Sequence, residues 1–263
     1  MSVTYGNPPL VEVAVSLQFE PPVGLNGAHL GAFWYTRRRD FPSVRTAPPI
    51  PPAHESFGAP WQLLSPSIRI ALNESEHRVQ MTSSDEQWMA QVQENRVVVN
   101  WRKGDSGYPR YEATRDRLLA VWQHWREFVI AELKTDCRAQ LWEITYVNRI
   151  AEGRLWRELA DWPDVFPGLW GKDFRLGANT NLVAVHGSWV LDYPKQDAEA
   201  RLYVEPKLGQ SADGQRLLLL NLTARGRVRS DDVAQSLEPG HELIVTTFDG
   251  LASAAAQQEW NRQ

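Results

Sequence analysis

A nuclease-like pattern of two carboxylates and a lysine lies in the second half of the chain. Asp192 is followed by Glu205-Pro206-Lys207. A carboxylate followed by Glu-x-Lys can hold a divalent cation and activate water, as in metal-dependent nucleases. The alternative is a strand end with surface charges, which Pro206 favours because proline removes a ladder N–H. A metal site at these residues is therefore the weaker hypothesis.

Two further carboxylates recur at matching places in the two halves of the chain. Glu12 and Glu143 each occupy the outer row of the strand that opens its half. Such residues are ordinarily solvent-facing charges or members of a salt bridge. The functional alternative is a pair of carboxylates that flank one site, where they could do acid–base or metal chemistry.

Asn148 interrupts the apolar row of its strand. A buried amide must find hydrogen bonds, or it costs about 1–3 kcal/mol. It either ties down a neighbouring strand or points into a ligand cavity, with Arg149 on the opposite face. Trp122, Trp125 and Tyr146 could wall such a cavity, or they could pack in a core that is rich in tryptophan, of which the chain has twelve.

A basic group follows the last predicted strand, where Arg225, Arg227 and Arg229 alternate along one side. Three further basic residues could extend this patch: Arg201, Lys207 and Arg216. Such a patch could bind phosphate or nucleic acid. The formal net charge of −4 disfavours nucleic acid, because its binding usually requires a surplus of Lys and Arg.

The sequence lacks the motifs of the common enzyme classes, namely Gly-x-Ser-x-Gly, the P-loop, the Rossmann glycines and His-Glu-x-x-His. Cys137 is the only cysteine and lies in a polar linker, which excludes a disulfide within the chain and disfavours a nucleophile. His241 falls on the buried face of the last predicted helix and is expected to be packed rather than metal-bound. No cofactor is predicted.

The predicted strands and helices that must position these residues occur in the same order in both halves of the chain. In the first half, alternating apolar residues predict a strand over 11–19, and a helix follows over 26–39 with Asn26 as its cap. A proline-rich run over 47–53 predicts an extended surface loop. A long amphipathic helix over 111–134 closes the half. The strands between are predicted at about 60–64, 67–73, 77–83, 87–92 and 95–102.

The second half repeats this order, with a strand over 142–150, a short helix over 154–160 and a final helix over 239–260. Its further strands are predicted near 180–191, 199–206 and 215–225. The first strands of the two halves align at an offset of 131 residues, and the closing helices at 126. We therefore predict two halves, 1–136 and 137–263, that fold alike.

This order predicts an α+β fold of two β-α-β4-α pseudo-repeats, in which each curved antiparallel sheet is covered by its long helix. The topology resembles the TATA-binding-protein-like and helix-grip folds, a likeness that does not fix function. The N-terminal residues show no signal peptide, and the apolar runs are too short to span a bilayer. These features predict a cytoplasmic protein without membrane contact.

Four short segments resemble a known family. They are Asn7–Val13, Tyr146–Ile150, His241–Asp249 and the pair Glu259-Trp260. Together they resemble the sporadically distributed bacterial TIGR04255 family, whose proteins have no established activity. The resemblance covers essentially the whole chain and implies a bacterial cytoplasmic protein, sometimes encoded near mobile or defence-associated genes. It carries over no catalytic residue.

These observations favour a binding protein over an enzyme. The leading hypothesis is an interaction protein in a regulatory or defence context, with a protein partner or a second copy of itself. The rivals are a small-molecule receptor with a tryptophan-lined cavity beneath a long helix, and the metal-dependent nuclease. Nucleic acid is a less favoured partner.

Overall fold

The computed structural model describes residues 3–57, 77–170, 182–195, 198–230 and 232–263, which form an α+β fold with one open antiparallel sheet. The strands are β1 (Leu10–Phe19), β2 (Ser43–Ala47), β3 (Arg78–Thr82), β4 (Trp88–Gln93), β5 (Arg96–Arg102), β6 (Ala139–Ala151), β7 (Trp189–Lys195), β8 (Ala198–Gln210) and β9 (Arg216–Arg227). The helices are α1 (Gly27–Arg37), α2 (Tyr111–Leu133), α3 (Trp162–Val165), α4 (Pro167–Trp170), α5 (Val233–Leu251) and α6 (Ala254–Glu259).

The strand order is β2-β3-β4-β5-β1-β6-β9-β8-β7. β1 and β6 pair at the centre. After each of them the chain passes to the outer edge of the sheet, at β2 or β7, and the strands that follow return one by one to the centre. The register places Ala14 opposite Thr145 in the middle of the central ladder. The sheet is therefore continuous across the boundary at residue 136 that the sequence predicts.

The two faces of the sheet differ in chemistry because side chains alternate along each strand. In β1, Val13, Val15 and Leu17 are fully buried on the face that the helices cover, which we name the helix face. Glu12 and Ser16 project from the opposite face, which we name the polar face.

Aromatic packing fills the space between the sheet and the helices. Trp122 of α2 lies against Phe19 of β1 with ring centroids 5.2 Å apart, and Trp125 meets Phe33 of α1 edge-on at 5.1 Å. Both tryptophans belong to the buried stripe that the helical spacing predicts, and that prediction is confirmed. None of the helices in the described part of the chain is long and apolar enough to cross a bilayer.

Several predicted elements have different bounds in the structure. The single closing helix over 239–260 is wrong, since α5 begins at Val233, where the Asp232 side chain caps Gln235 N, and a break separates it from α6. The helix over 154–160 is also wrong, because a 3-10 turn begins only at Leu159 and α3 follows it. The strands predicted at 60–64 and 67–73 lie outside the described residues. Strand β2 was not predicted.

Candidate functional site

A chain of side-chain hydrogen bonds crosses the polar face from the β2 edge towards the centre. Arg45 Nε donates to Gln80 Oε1 at 2.7 Å, and Gln80 Nε2 donates to Gln91 Oε1 at 2.8 Å. Gln91 Nε2 then donates to Asn100 Oδ1 at 2.7 Å, and Asn100 Nδ2 donates to Glu12 Oε1 at 2.5 Å. The first two pairs stand directly opposite each other in the ladders, so strand register builds this chain.

A row of alternating charges continues across the second half of the polar face. Arg96 Nη1 donates to Glu143 Oε1 at 3.0 Å, and Arg225 Nε donates to Glu143 Oε2 at 2.5 Å. Arg225 and Arg201 both reach the carboxylate of Glu55, at 3.3 and 3.1 Å. Arg96 and Arg201 are nearly fully buried, so the Arg96–Glu143 and Arg201–Glu55 pairs lie largely out of water.

Glu55 occupies the most enclosed position in this row, since only 1% of its side chain is exposed. Tyr203 donates its hydroxyl to Glu55 Oε1 at 2.6 Å, a third contact beside the two arginines. Two residues further on, the Phe57 ring lies 5.9 Å from the Arg201 guanidinium and 5.7 Å from that of Arg227, within the range of cation–π attraction.

The segment that carries Glu55 lies on the polar face without regular secondary structure, and we name residues Pro48–Phe57 the strap. Two glutamines hold its backbone. Gln93 accepts from Ile50 N and donates to Ile50 O, each at 2.9 Å. Gln18 accepts from Ala53 N at 2.8 Å and donates to Ala53 O at 3.0 Å. Each side-chain amide thus pairs with both polar groups of one strap residue.

A cavity of about 280 Å³ adjoins the strap, and both Glu12 and Glu143 line it. Its wall also contains Ser16, Arg78 and Arg96. Ser16 Oγ, Arg78 Nε and Arg96 Nε are buried, and no group in the described ranges bonds to them. Burial lowers the pKa of both guanidinium groups. Arg45 adds to that effect at Arg78, whereas at Arg96 the Glu143 carboxylate opposes it and Arg225 assists it.

The other predicted ligand residues lie on the helix side or in solvent. Asn148 is 3% exposed and donates Nδ2 to Leu220 O at 3.1 Å, so it ties β6 to β9. Arg149 is exposed. The hydroxyl of Tyr146 lies 3.0 Å from His241 Nδ1. Burial raises the pKa of Tyr146 well above its usual value. Trp122 and Trp125 pack in the core.

The predicted basic patch is interleaved with carboxylates. Arg225 contacts Glu143 and Glu55, as described above. Arg227 and Arg229 lie 3.4 and 3.3 Å from the carboxylate of Glu199. Arg216 pairs with Glu152 at the far end of β9, at 2.7 Å. The expected surface of unpaired cations is therefore absent at these positions.

The residues of the nuclease-like pattern do not converge. Asp192 stands opposite Arg201 in the β7–β8 ladder, and Arg201 Nε donates to it at 2.7 Å. Glu205 lies four residues further along β8, or about 13 Å away at the usual strand rise. Across the ranges that the structure describes, no three His, Cys, Asp or Glu side chains are grouped so that they could hold a metal ion.

Sequence reasoning missed most of the residues that build this site, among them Gln18, Glu55, Gln93 and Tyr203. The glutamines and Tyr203 stand on the outer rows of strands that were predicted, so alternation alone could have assigned them to the polar face. No family model, curated protein or solved structure matches the chain. The resemblance to the TIGR04255 family therefore stays a prediction.

Proposed function

We propose that this protein is a non-catalytic interaction protein that binds a protein partner through the polar face of its sheet. The observation that supports this most is the row of alternating charges from Arg96 to Asp192, in which the side chains of Arg96, Glu55 and Arg201 are buried. Buried ion pairs add little net stability compared with apolar packing of the same volume. Their concentration on one face is better explained by recognition of a polar partner than by folding.

The bonding pattern favours binding over catalysis. Both oxygens of Glu143 accept from arginines, and both oxygens of Glu55 are engaged as well. A general base needs a lone pair that faces the substrate. Carboxylates that are held on both oxygens instead form a fixed pattern of charge, which suits complementary recognition.

Charge reversal at the edge of the polar face tests this proposal. Arg227 is about half exposed, and its guanidinium contacts the Phe57 ring of the strap. Arg154 is more exposed and pairs with Glu259 near the C-terminus. We expect Arg227→Glu to reduce capture of a specific partner from producing cells by at least about tenfold, and Arg154→Glu to leave it unchanged. Quantitative mass spectrometry of the captured proteins is the measurement. Equal capture by both variants would end the proposal.

A second candidate function is a receptor for a small zwitterion, and the cavity beside the strap favours it. The charges of Arg96 and Glu143 neutralise each other, but within the described residues neither Arg78 nor Glu12 forms an ion pair. A ligand that presents an anionic group to Arg78 and an ammonium group to Glu12 would complement both. The volume of about 280 Å³ is near the lower end for ligand pockets, which suits a metabolite of amino-acid size.

The test of this second function is thermal stabilisation by single free amino acids. A true ligand at 100 times its Kd raises the stability by about 2.7 kcal/mol. We expect Glu12→Gln to abolish the shift in Tm. No shift with any of the twenty amino acids would dismiss this candidate.

We also propose that the two halves are structural repeats of the TATA-binding-protein-like kind. The offset of 131 residues maps Ala14 onto Thr145, and these two residues face each other across the β1–β6 ladder. A twofold axis through that pair would relate Glu12 to Glu143, which line one cavity. The regulatory or defence context stays a prediction.

A further inference from the structure

We propose that the polar face binds an extended peptide of a partner in the way that it now holds the strap, an inference that rests on the proposed function. The peptide has free backbone amides at positions i and i+3, prolines between them and a carboxylate side chain at i+5. The strap, which belongs to the same chain, occupies this binding site, and the partner peptide competes with it. In the strap, these three positions are Ile50, Ala53 and Glu55.

The spacing of the two glutamines matches the repeat of a polyproline helix. Gln93 and Gln18 stand on either side of Arg96 in the ladders, so two strand spacings of about 9.6 Å in total separate them. A polyproline II helix advances about 9.3 Å in three residues. A chain in that conformation that crosses the strands therefore brings every third residue above a glutamine.

The prolines of the strap avoid the two positions whose N–H groups are used. They occupy positions 48, 49, 51 and 52, whereas Ile50 and Ala53 donate their amide hydrogens to the glutamines. Proline has no N–H and fixes φ near −65°, so it favours the extended form between the anchors and would lose a bond at either anchor. A peptide that fits the polar face should therefore carry proline only at positions other than i and i+3.

Side-chain selectivity comes from the carboxylate position. Glu55 receives contacts from Arg201, Arg225 and Tyr203, all of which project from the polar faces of β8 and β9. Arginine and hydroxyl donors converge here on one acidic group, and charge-assisted bonds of this kind are the strong ones. A peptide with an uncharged residue at i+5 would leave Arg201 with only Asp192, and Arg225 with only Glu143, as a carboxylate partner.

Competition by the strap predicts that weakening the strap strengthens binding in trans. The apparent Kd of a site that is only fractionally free equals the intrinsic Kd divided by the free fraction. Glu55→Gln removes the charge of the strap and leaves the groove intact. Glu132→Gln on the exposed side of α2 is the matched control, because it removes the same charge far from the strap.

The experiment measures binding of a fluorescent peptide, capped Pro-Pro-Ile-Pro-Pro-Ala-His-Glu-Ser-Phe, to the full chain by anisotropy. We expect Glu55→Gln to bind it at least about tenfold more tightly than the wild type or Glu132→Gln. A peptide with Pro at the Ile50 and Ala53 positions should lose at least about tenfold in affinity for all three proteins. Equal affinities for the two peptides, or no binding to a folded Glu55→Gln chain, would overturn the inference.

Hydrogen exchange of the wild type provides a second readout that does not depend on the variant. Excess peptide should accelerate exchange at the Ile50 and Ala53 amides, because the displaced strap loses its glutamine partners. Unchanged exchange at saturating peptide would also overturn the inference. If partner capture still depends on Arg227 while the peptide does not bind, the inference fails and the proposed function survives.

Discussion

His241 lies at the contact between α5, α2 and the sheet, with its ring stacked on Tyr111 at a centroid distance of 4.0 Å. Its Nδ1 is 3.0 Å from the hydroxyl of Tyr146, which in turn lies 3.1 Å from the hydroxyl of Tyr108. Burial lowers the pKa of His241, although the nearby carboxylates of Glu238, Glu112 and Glu242 oppose that effect and Arg115 assists it.

This lowered pKa makes stability depend on pH in a defined direction. As the pH falls below about 6.5, the unfolded chain takes up a proton at this residue before the folded chain does. The stabilising contribution is therefore complete above about pH 6.5 and declines below it. At pH 5.5 we expect the wild type to lose up to about 1.4 kcal/mol relative to pH 7.5 through this group alone.

The comparison is with His241→Phe, which keeps the ring stacked and removes the titration. Urea unfolding at pH 7.5 and 5.5 should show a smaller loss of stability in this variant than in the wild type. The other five histidines contribute equally to both proteins. Identical losses would contradict the assignment.

Cys137 gives a second prediction at the residue scale. The thiol is buried, and burial raises its pKa to about 11. At pH 8 about one molecule in a thousand then carries the reactive thiolate, against roughly a quarter in the unfolded chain. We expect iodoacetamide to label the native protein at least a hundredfold more slowly than the protein in denaturing urea. Comparable rates would show that the thiol is accessible.

The alternation of strands explains which residues of the site were predictable. The outer row of β1 and β6 identifies Glu12 and Glu143, and the interrupted inner row identifies Asn148. Glu55 follows a proline-rich run without periodicity, so nothing local marks its carboxylate as buried. Its partners Arg201 and Arg225 lie more than 140 residues away, and only the folded sheet brings them near it.

At the scale of elements, Trp142 determines how α5 approaches the sheet. Its indole lies between Gly226 of β9 and Gly240 of α5, and a Cβ atom added at either glycine would overlap the ring. Trp142 is 1% exposed and donates Nε1 to Arg227 O at 3.2 Å, so the ring is held in place. Glycine at these two positions allows the helix and the strand to pack closely.

Two substitutions in α5 separate this packing from helix propensity. Gly240→Ala should destabilise the protein by about 1–2 kcal/mol, because the cost of overlap with Trp142 outweighs the gain from the higher helix propensity of alanine. Gly250→Ala meets no atom within 4 Å and should stabilise by about 0.5–1 kcal/mol. Urea denaturation measures both values. A Gly240→Ala chain as stable as Gly250→Ala would refute the account.

The errors in the predicted elements have physical causes. The sequence predicts that the last helix begins at Pro239-Gly240, because proline and glycine usually mark boundaries. Here Pro239 lies inside α5, and Gly240 is needed for contact with Trp142. Strand β2 is almost wholly exposed and shows no alternation of burial, so its residues carry no periodic signal.

At the scale of the whole molecule, the central ladder joins the two halves. β1 pairs with β5 of its own half on one side and with β6 of the second half on the other. An isolated half would therefore leave one edge of its central strand unpaired. The Arg96–Glu143 ion pair also crosses this boundary on the polar face. The repeat pattern indicated two similar halves, but periodicity is local and carries no information about which strands meet at the centre.

The shared ladder predicts that both halves unfold together. Separation would expose two long strand edges and the buried side of Arg96, so a state with only one folded half is unfavourable. Hydrogen exchange followed through a urea titration should give the same midpoint for amides of β5 in the first half and of β9 in the second. Tryptophan fluorescence should agree, since residues 1–136 and 137–263 contain six tryptophans each. Two separate midpoints would mean that the halves are independent domains, and that the polar face can be divided without loss of either part.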